Sequence, residues 1–131
     1  MHNRRPLMIN GVAVVSAPVE VDIANAEQLR IVLLEAARRG HARVVVDMTR
    51  TRYCDSAGFS ALAAAHKWAL AQGGGLRLVI PADSRVLRIF TVIGLDRFIP
   101  RFGSLEQALP QDLPPPSESV TRKARFPGER R

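Results

Sequence analysis

The segment 43–70, RVVVDMTRTRYCDSAGFSALAAAHKWAL, changes its hydrophobic pattern twice. It opens on three consecutive valines, the continuous apolar run of a strand buried on both faces. It closes on an alanine-rich stretch with helical spacing. Between them lies a polar connection carrying two carboxylates, Asp47 and Asp55, and the hydroxyls of Thr49, Thr51 and Ser56. A strand that feeds a helix through such a loop puts its last residues at the positive end of the helix dipole. Ser56 stands there, between Asp55 and the Ala57-Gly58 pair.

Upstream, residues 7–9 and 12–17 read as two short strands around Asn10-Gly11, a dipeptide suited to a tight hairpin. Pro18 ends the pairing, and 19–23 is an extended exit. Asn25 with Gln28 three residues on makes a capping-box pattern for a helix whose inner face is Ala26, Leu29, Leu33, Ala36 and Ala37. Gly40 stops that helix, and His41 falls in the turn as an exposed residue.

Downstream, the helix after Ser56 shows two apolar stripes. Phe59, Leu62, Ala63, His66 and Leu70 form the one expected to pack on the sheet. Ala57, Ala61, Ala64 and Trp68 form a second face left for a partner. Gly73-Gly74-Gly75 follows this helix and precedes a strand, the wrong order for a phosphate-cradling loop, and reads as a turn. Residues 76–80 make the next strand. Asp83 or Ser84 caps a helix with Val86, Leu87, Phe90 and Ile93 inward, and Gly94 ends it. A last strand is expected at Phe98-Ile99, then a short helix from the capping pattern Ser104-Leu105-Glu106-Gln107. Strands alternating with helices mean an α/β fold: a mostly parallel, mixed sheet of about five strands with four helices packed on it.

The chain of 131 residues is 47% hydrophobic but only 5% aromatic, so one aliphatic core is expected. Residues 1–6 read as an arm, 7–109 as the domain, and 110–131 as a disordered tail. That tail is basic and holds five of the nine prolines. No apolar run approaches the roughly 18 residues that span a bilayer, so neither a membrane segment nor a leader is expected and the cytoplasm is the expected compartment. A single cysteine excludes an internal disulfide. The net charge of +7 raises the question of nucleic acid, but the arginines are spread along the chain, so a solvated basic surface is expected and no direct nucleic-acid contact.

Catalysis finds little support. The nucleophile-elbow pattern needs a glycine two residues before the serine, where this chain has Cys54. His66 lies ten residues along the same helix, about 15 Å from Ser56 along its axis. Cys54 has no evident base and reads as a small buried hydrophobe. Three scattered histidines and one cysteine make no metal-ligand spacing, so no metal and no cofactor are expected. On the residues alone Ser56 has two readings, a plain helix N-cap and a phosphoacceptor exposed at a strand-to-helix junction.

The same residues carry a family resemblance. DMTRTRYCDSAGFSAL resembles the signature of the bacterial STAS-domain anti-sigma factor antagonists, in which a strand ending in Asp leads through a Ser/Thr loop to Asp-Ser-(Ala/Ser)-Gly and a helix. The similarity runs from about residue 7 to 109. It includes Val21-Asp22-Ile23-Ala24-Asn25-Ala26, LRLVIP, VIGLDRF and SLEQAL. The chain departs from the family in having Pro18-Val19-Glu20-Val21-Asp22 where Gly-Glu-Leu-Asp is usual.

The resemblance implies a non-enzymatic switch. Such a protein binds an anti-sigma factor that is also a serine kinase and so releases the sigma factor. The kinase phosphorylates the motif serine, here Ser56, and a phosphatase restores it. Asp22, Asp47, Thr49, Thr51, Asp55 and Gly58 match positions of the phosphorylation loop. The alternative within the same fold is a STAS subunit held constitutively in a sensory or transport assembly.

Overall fold

The computed structural model describes residues 6–110. Its main sheet has five strands in the order β1-β2-β4-β6-β7, formed by Leu7–Ile9, Val12–Ser16, Arg43–Asp47, Gly75–Val79 and Arg101–Phe102. β1 and β2 are antiparallel and the remaining neighbours parallel. Asn10 and Gly11 take φ of 53° and 80°, the double positive φ that turns a hairpin with the twist of its strands.

β4 is central, and its valine run serves both faces. Val44 and Val46 join the larger core under the helices, while Val45 joins Val12, Val14 and Val79 on the opposite face. All three valines are fully buried, each contributing roughly 1.5–3 kcal/mol of transfer free energy. Helices α1 (Ala26–Arg39) and α2 (Ser56–Ala71) pack on each other and on the first face, with α3 (Arg85–Val92) beside them. The four-residue α4 (Leu105–Ala108) covers the second face through Leu105 and Ala108. Arg77 is buried there at 2% exposure, one guanidinium nitrogen donating to the Ala108 carbonyl and the group lying 5.1 Å from the Phe102 ring centre.

The α/β class, the five strands and the four helices expected from the sequence are present. Several local expectations change. The strand placed at Phe98-Ile99 begins at Arg101 instead. Leu95–Arg97 forms a 3-10 turn, Ile99 N–H donates to the Leu95 carbonyl (2.8 Å), and Pro100 has no N–H to offer a ladder. Asn25 does not cap α1 with its side chain. Its Oδ1 accepts from Asp22 N–H (3.0 Å) and its Nδ2 donates to the Glu20 carbonyl (2.9 Å), so it ties the preceding loop together.

Ile93 is 51% exposed and so is not part of the α3 core face, which consists of Val86 and Phe90 with Leu87 at its margin. Half of the capping pattern at Ser104 forms, with Ser104 Oγ accepting from Gln107 N–H, while Gln107 Oε1 accepts from the N–H of Gly103, one residue before the cap. The proline-rich tail at 111–131 and residues 1–5 of the arm lie outside the described residues.

Candidate functional site

The loop between β4 and α2 is not irregular. Tyr53–Cys54 forms a short strand, β5, paired in parallel with Glu20–Val21, here β3, in the register Glu20↔Tyr53 and Val21↔Cys54. This second sheet was not legible in the sequence, because two-residue strands carry no periodicity. The signal was present only as Val19-Glu20-Val21, a β-favouring run too short to assign.

The ribbon organises the site. Arg52 N–H donates to the Val19 carbonyl (2.7 Å) and Asp55 N–H to the Val21 carbonyl (3.1 Å). Asp22 and Asp55 each follow a paired residue, so both carboxylates leave the ribbon at the same end, where α2 begins. Thr51 is 3% exposed and its hydroxyl donates to the Pro18 carbonyl at 2.8 Å. It therefore fastens the loop to the chain leaving β2. Asp47 Oδ1 accepts from Thr49 N–H (3.0 Å), turning the backbone out of β4, and leaves Thr49 exposed.

Gly58 is required by contact. A Cβ on it would stand 2.7 Å from both Cys54 Sγ and Val21 Cγ1, so the first turn of α2 can lean on the ribbon only without a side chain there. The N-cap of α2 is Asp55, whose carboxylate accepts from Gly58 N–H at 3.0 Å. Ser56 is thus the first residue of the helix and not its cap. Its side chain is exposed and its hydroxyl makes no hydrogen bond to the described residues.

The chemistry available to this serine is narrow. Both ring nitrogens of His66 are engaged in the core. Nδ1 accepts from Leu76 N–H (2.9 Å) and Nε2 lies 3.0 Å from the Phe98 carbonyl, which fixes the proton on Nε2. Burial lowers the His66 pKa, the carbonyl of Phe98 opposing it. Burial, aided by the neighbouring Asp55 charge, pushes the Cys54 thiol up to about 12, so it is no nucleophile at neutral pH. Among the described residues no group of three His, Cys, Asp or Glu could hold a metal ion.

The partner face expected on α2, Ala57, Ala61, Ala64 and Trp68, lies only partly at the surface. Ala61 is 4% exposed and belongs to the inward side with Phe59, Leu62, Ala65, His66 and Ala69. Trp68 is half-buried and packs against the core, where a large ring gains more from burial than from solvent. Leu70, expected inward, is 48% exposed. The surface side of α2 consists of Ser56, Ser60, Ala64, Lys67, Leu70 and Ala71, flanked by the partly exposed Ala57 and Ala63.

Taken together, these features define a class: a mixed α/β sheet domain whose principal loop presents an exposed hydroxyl at a helix start. A family model described as Mlab, STAS domain matches residues 9–105, and the chain belongs to the STAS-domain family. No curated protein sequence matches the chain significantly. Among solved structures, an anti-sigma factor antagonist from Mycobacterium paratuberculosis is 24% identical with a TM-score of 0.69, covering 78% of this chain and 86% of its own. The Bacillus cell fate determinant SpoIIAA in its phosphorylated form is 18% identical with a TM-score of 0.53, covering 88% of this chain and 94% of its own. A murine Solute Carrier 26 family anion transporter is 22% identical with a TM-score of 0.62, covering 76% of this chain but 17% of the transporter. These identities speak for the fold. Among the described residues no helix is long and apolar enough to cross a membrane.

Proposed function

We propose that this protein is an anti-sigma factor antagonist of the cytoplasm, a binding switch and not a catalyst, whose affinity for its partner is controlled by phosphorylation of Ser56. The partner is an anti-sigma factor with serine kinase activity, and a serine phosphatase reverses the modification. One observation carries the reading: Asp55 performs the capping, so the exposed Ser56 hydroxyl has no structural duty and is accessible to a kinase. The phosphorylated form of SpoIIAA, a fold neighbour, supports it.

Phosphorylation adds about −1.5 to −2 charges at the first residue of a sixteen-residue helix. The helix dipole accommodates that charge, so the domain stays folded. A partner seated on Ser56, Ala57, Ser60 and Ala64 would have to bury it instead, beside Asp55 and with Asp22 leaving the ribbon at the same end. A thousandfold loss of affinity corresponds to about 4 kcal/mol. A desolvated dianion without a cationic partner is of that order.

The likeness to a transporter's domain favours a second reading, a STAS subunit bound constitutively in a larger assembly. One experiment separates the two. The full chain is incubated with an anti-sigma factor kinase and ATP, mapped by mass spectrometry, and its Ser56→Asp and Ser56→Ala variants are compared in binding. Modification at Ser56, with Ser56→Asp releasing the partner and Ser56→Ala retaining it, is expected. Equal binding of both variants would establish the constitutive subunit.

A further inference from the structure

Helix α3 carries an apolar surface that packs on no core cluster of the described residues. Val92 is 77% exposed, Ile93 51% and Ile89 45%, and Phe98 beyond the 3-10 turn is 39% exposed. Residues 89, 92 and 93 stand at i, i+3 and i+4, so they form one stripe along the helix. The stripe borders a shallow groove of about 860 Å³ whose lining includes Leu87, Ile89, Val92, Arg85 and Arg88. Such a concavity accepts side chains from an opposing element.

The surrounding charge says what that element is. Arg85, Arg88 and Arg97 are exposed around the stripe, against the carboxylates of Asp83 and Asp96, and none of the three arginines makes an ion pair among the described residues. The patch carries three positive and two negative charges, so in a second copy of this chain, itself of net charge +7, it would face the same excess of positive charge. The inner side of the same helix touches the switch helix: the Phe90 and Phe59 ring centres are 6.3 Å apart, and Phe59 lies one turn from Ser56. The apolar stripe therefore belongs to the helix on which the start of α2 rests.

We propose that the exposed face of α3 docks an acidic amphipathic helix of a protein partner, apolar side chains entering the groove and carboxylates meeting Arg85 and Arg88. This deepens the partner-binding reading above by adding a contact that does not include the phosphorylated serine.

The test uses the full-length, isotope-labelled protein and a synthetic 16-residue helix with leucines on one stripe and glutamates on the other. Amide shift changes are expected at residues 85–98. Affinity should fall at least tenfold in Val92→Asp and in Arg88→Glu, and fall with added salt. Val92 is so exposed that its variant keeps the fold, which thermal melting checks. Ser56→Asp should bind the peptide as the parent does, so failure here and failure of the Ser56 switch are separate results. The proposal is overturned by shifts elsewhere or absent, by a lysine version of the peptide binding equally, by concentration-dependent broadening of 85–98 without peptide, or by phosphatidylglycerol vesicles perturbing these signals more strongly than the peptide.

Discussion

The carboxylate of Asp55 accepts a hydrogen bond from Gly58 N–H at 3.0 Å, three residues on, and closes the N-terminus of the helix that Ser56 begins. Two adjacent residues thereby divide their work. One stabilises the helix end, and the other presents its hydroxyl to solvent.

That division predicts opposite costs. Asp55→Ala should destabilise the domain by about 0.5–2 kcal/mol, the usual loss of an N-cap. Ser56→Ala should stay within about 0.5 kcal/mol, as for an exposed substitution away from structural features. Chemical denaturation of the two variants checks this. A larger loss in Ser56→Ala than in Asp55→Ala would return the capping role to the serine.

Gly58→Ala tests the close approach of α2 to the ribbon. Helix propensity alone favours alanine by about 1 kcal/mol. The added Cβ meets Cys54 Sγ and Val21 Cγ1 at 2.7 Å, and both residues are buried, so overpacking of about 1–3 kcal/mol should win. Gly58→Ala is expected to lower the melting temperature, and combining it with Cys54→Ala to recover part of the loss.

His66 makes stability depend on pH. Its folded pKa lies below its ordinary value of 6.5, because burial disfavours the imidazolium. The unfolded chain therefore takes up this proton first as pH falls. Stability is undiminished above about 6.5, declines below it, and levels off once the folded pKa has been passed. Denaturation midpoints at several pH values between 7.5 and 5 should show this decline, and His66→Gln should flatten it. An unchanged slope in that variant would assign it to another group.

The single thiol offers a readout of the ribbon. With a pKa near 12 and 4% exposure, Cys54 should resist iodoacetamide at pH 8 in the native protein and react promptly in denaturant. Gly58→Ala, if it pries α2 from β5, should raise the native labelling rate.

Much of this architecture is legible along the chain because its signals are local. Val44-Val45-Val46 announces a strand with two buried faces, Asn10-Gly11 a hairpin, and Ser104 with Gln107 a helix start. The inward stripe of α1 follows from spacing alone. Errors arise where a choice depends on what lies opposite. Asn25 has the chemistry of a cap but turns to Glu20 and Asp22, because the β3 exit offers it a donor and an acceptor at once. Ala61 and Ala64 look alike in sequence, yet in the folded domain the first is buried and the second exposed.

The site divides in the same way. The sequence by itself determined that a hydroxyl stands at a strand-to-helix junction between Asp55 and Gly58, since residue order and local propensity suffice for that. Only the tertiary structure decided that Asp55 is the cap, that Thr51 is a buried fastening to Pro18, and that β3 and β5 pair beneath the helix. The fastening and the pairing join residues 33 positions apart, which no local pattern encodes, while between the neighbouring Asp55 and Ser56 the cap falls to the residue whose backbone the bond to Val21 holds extended.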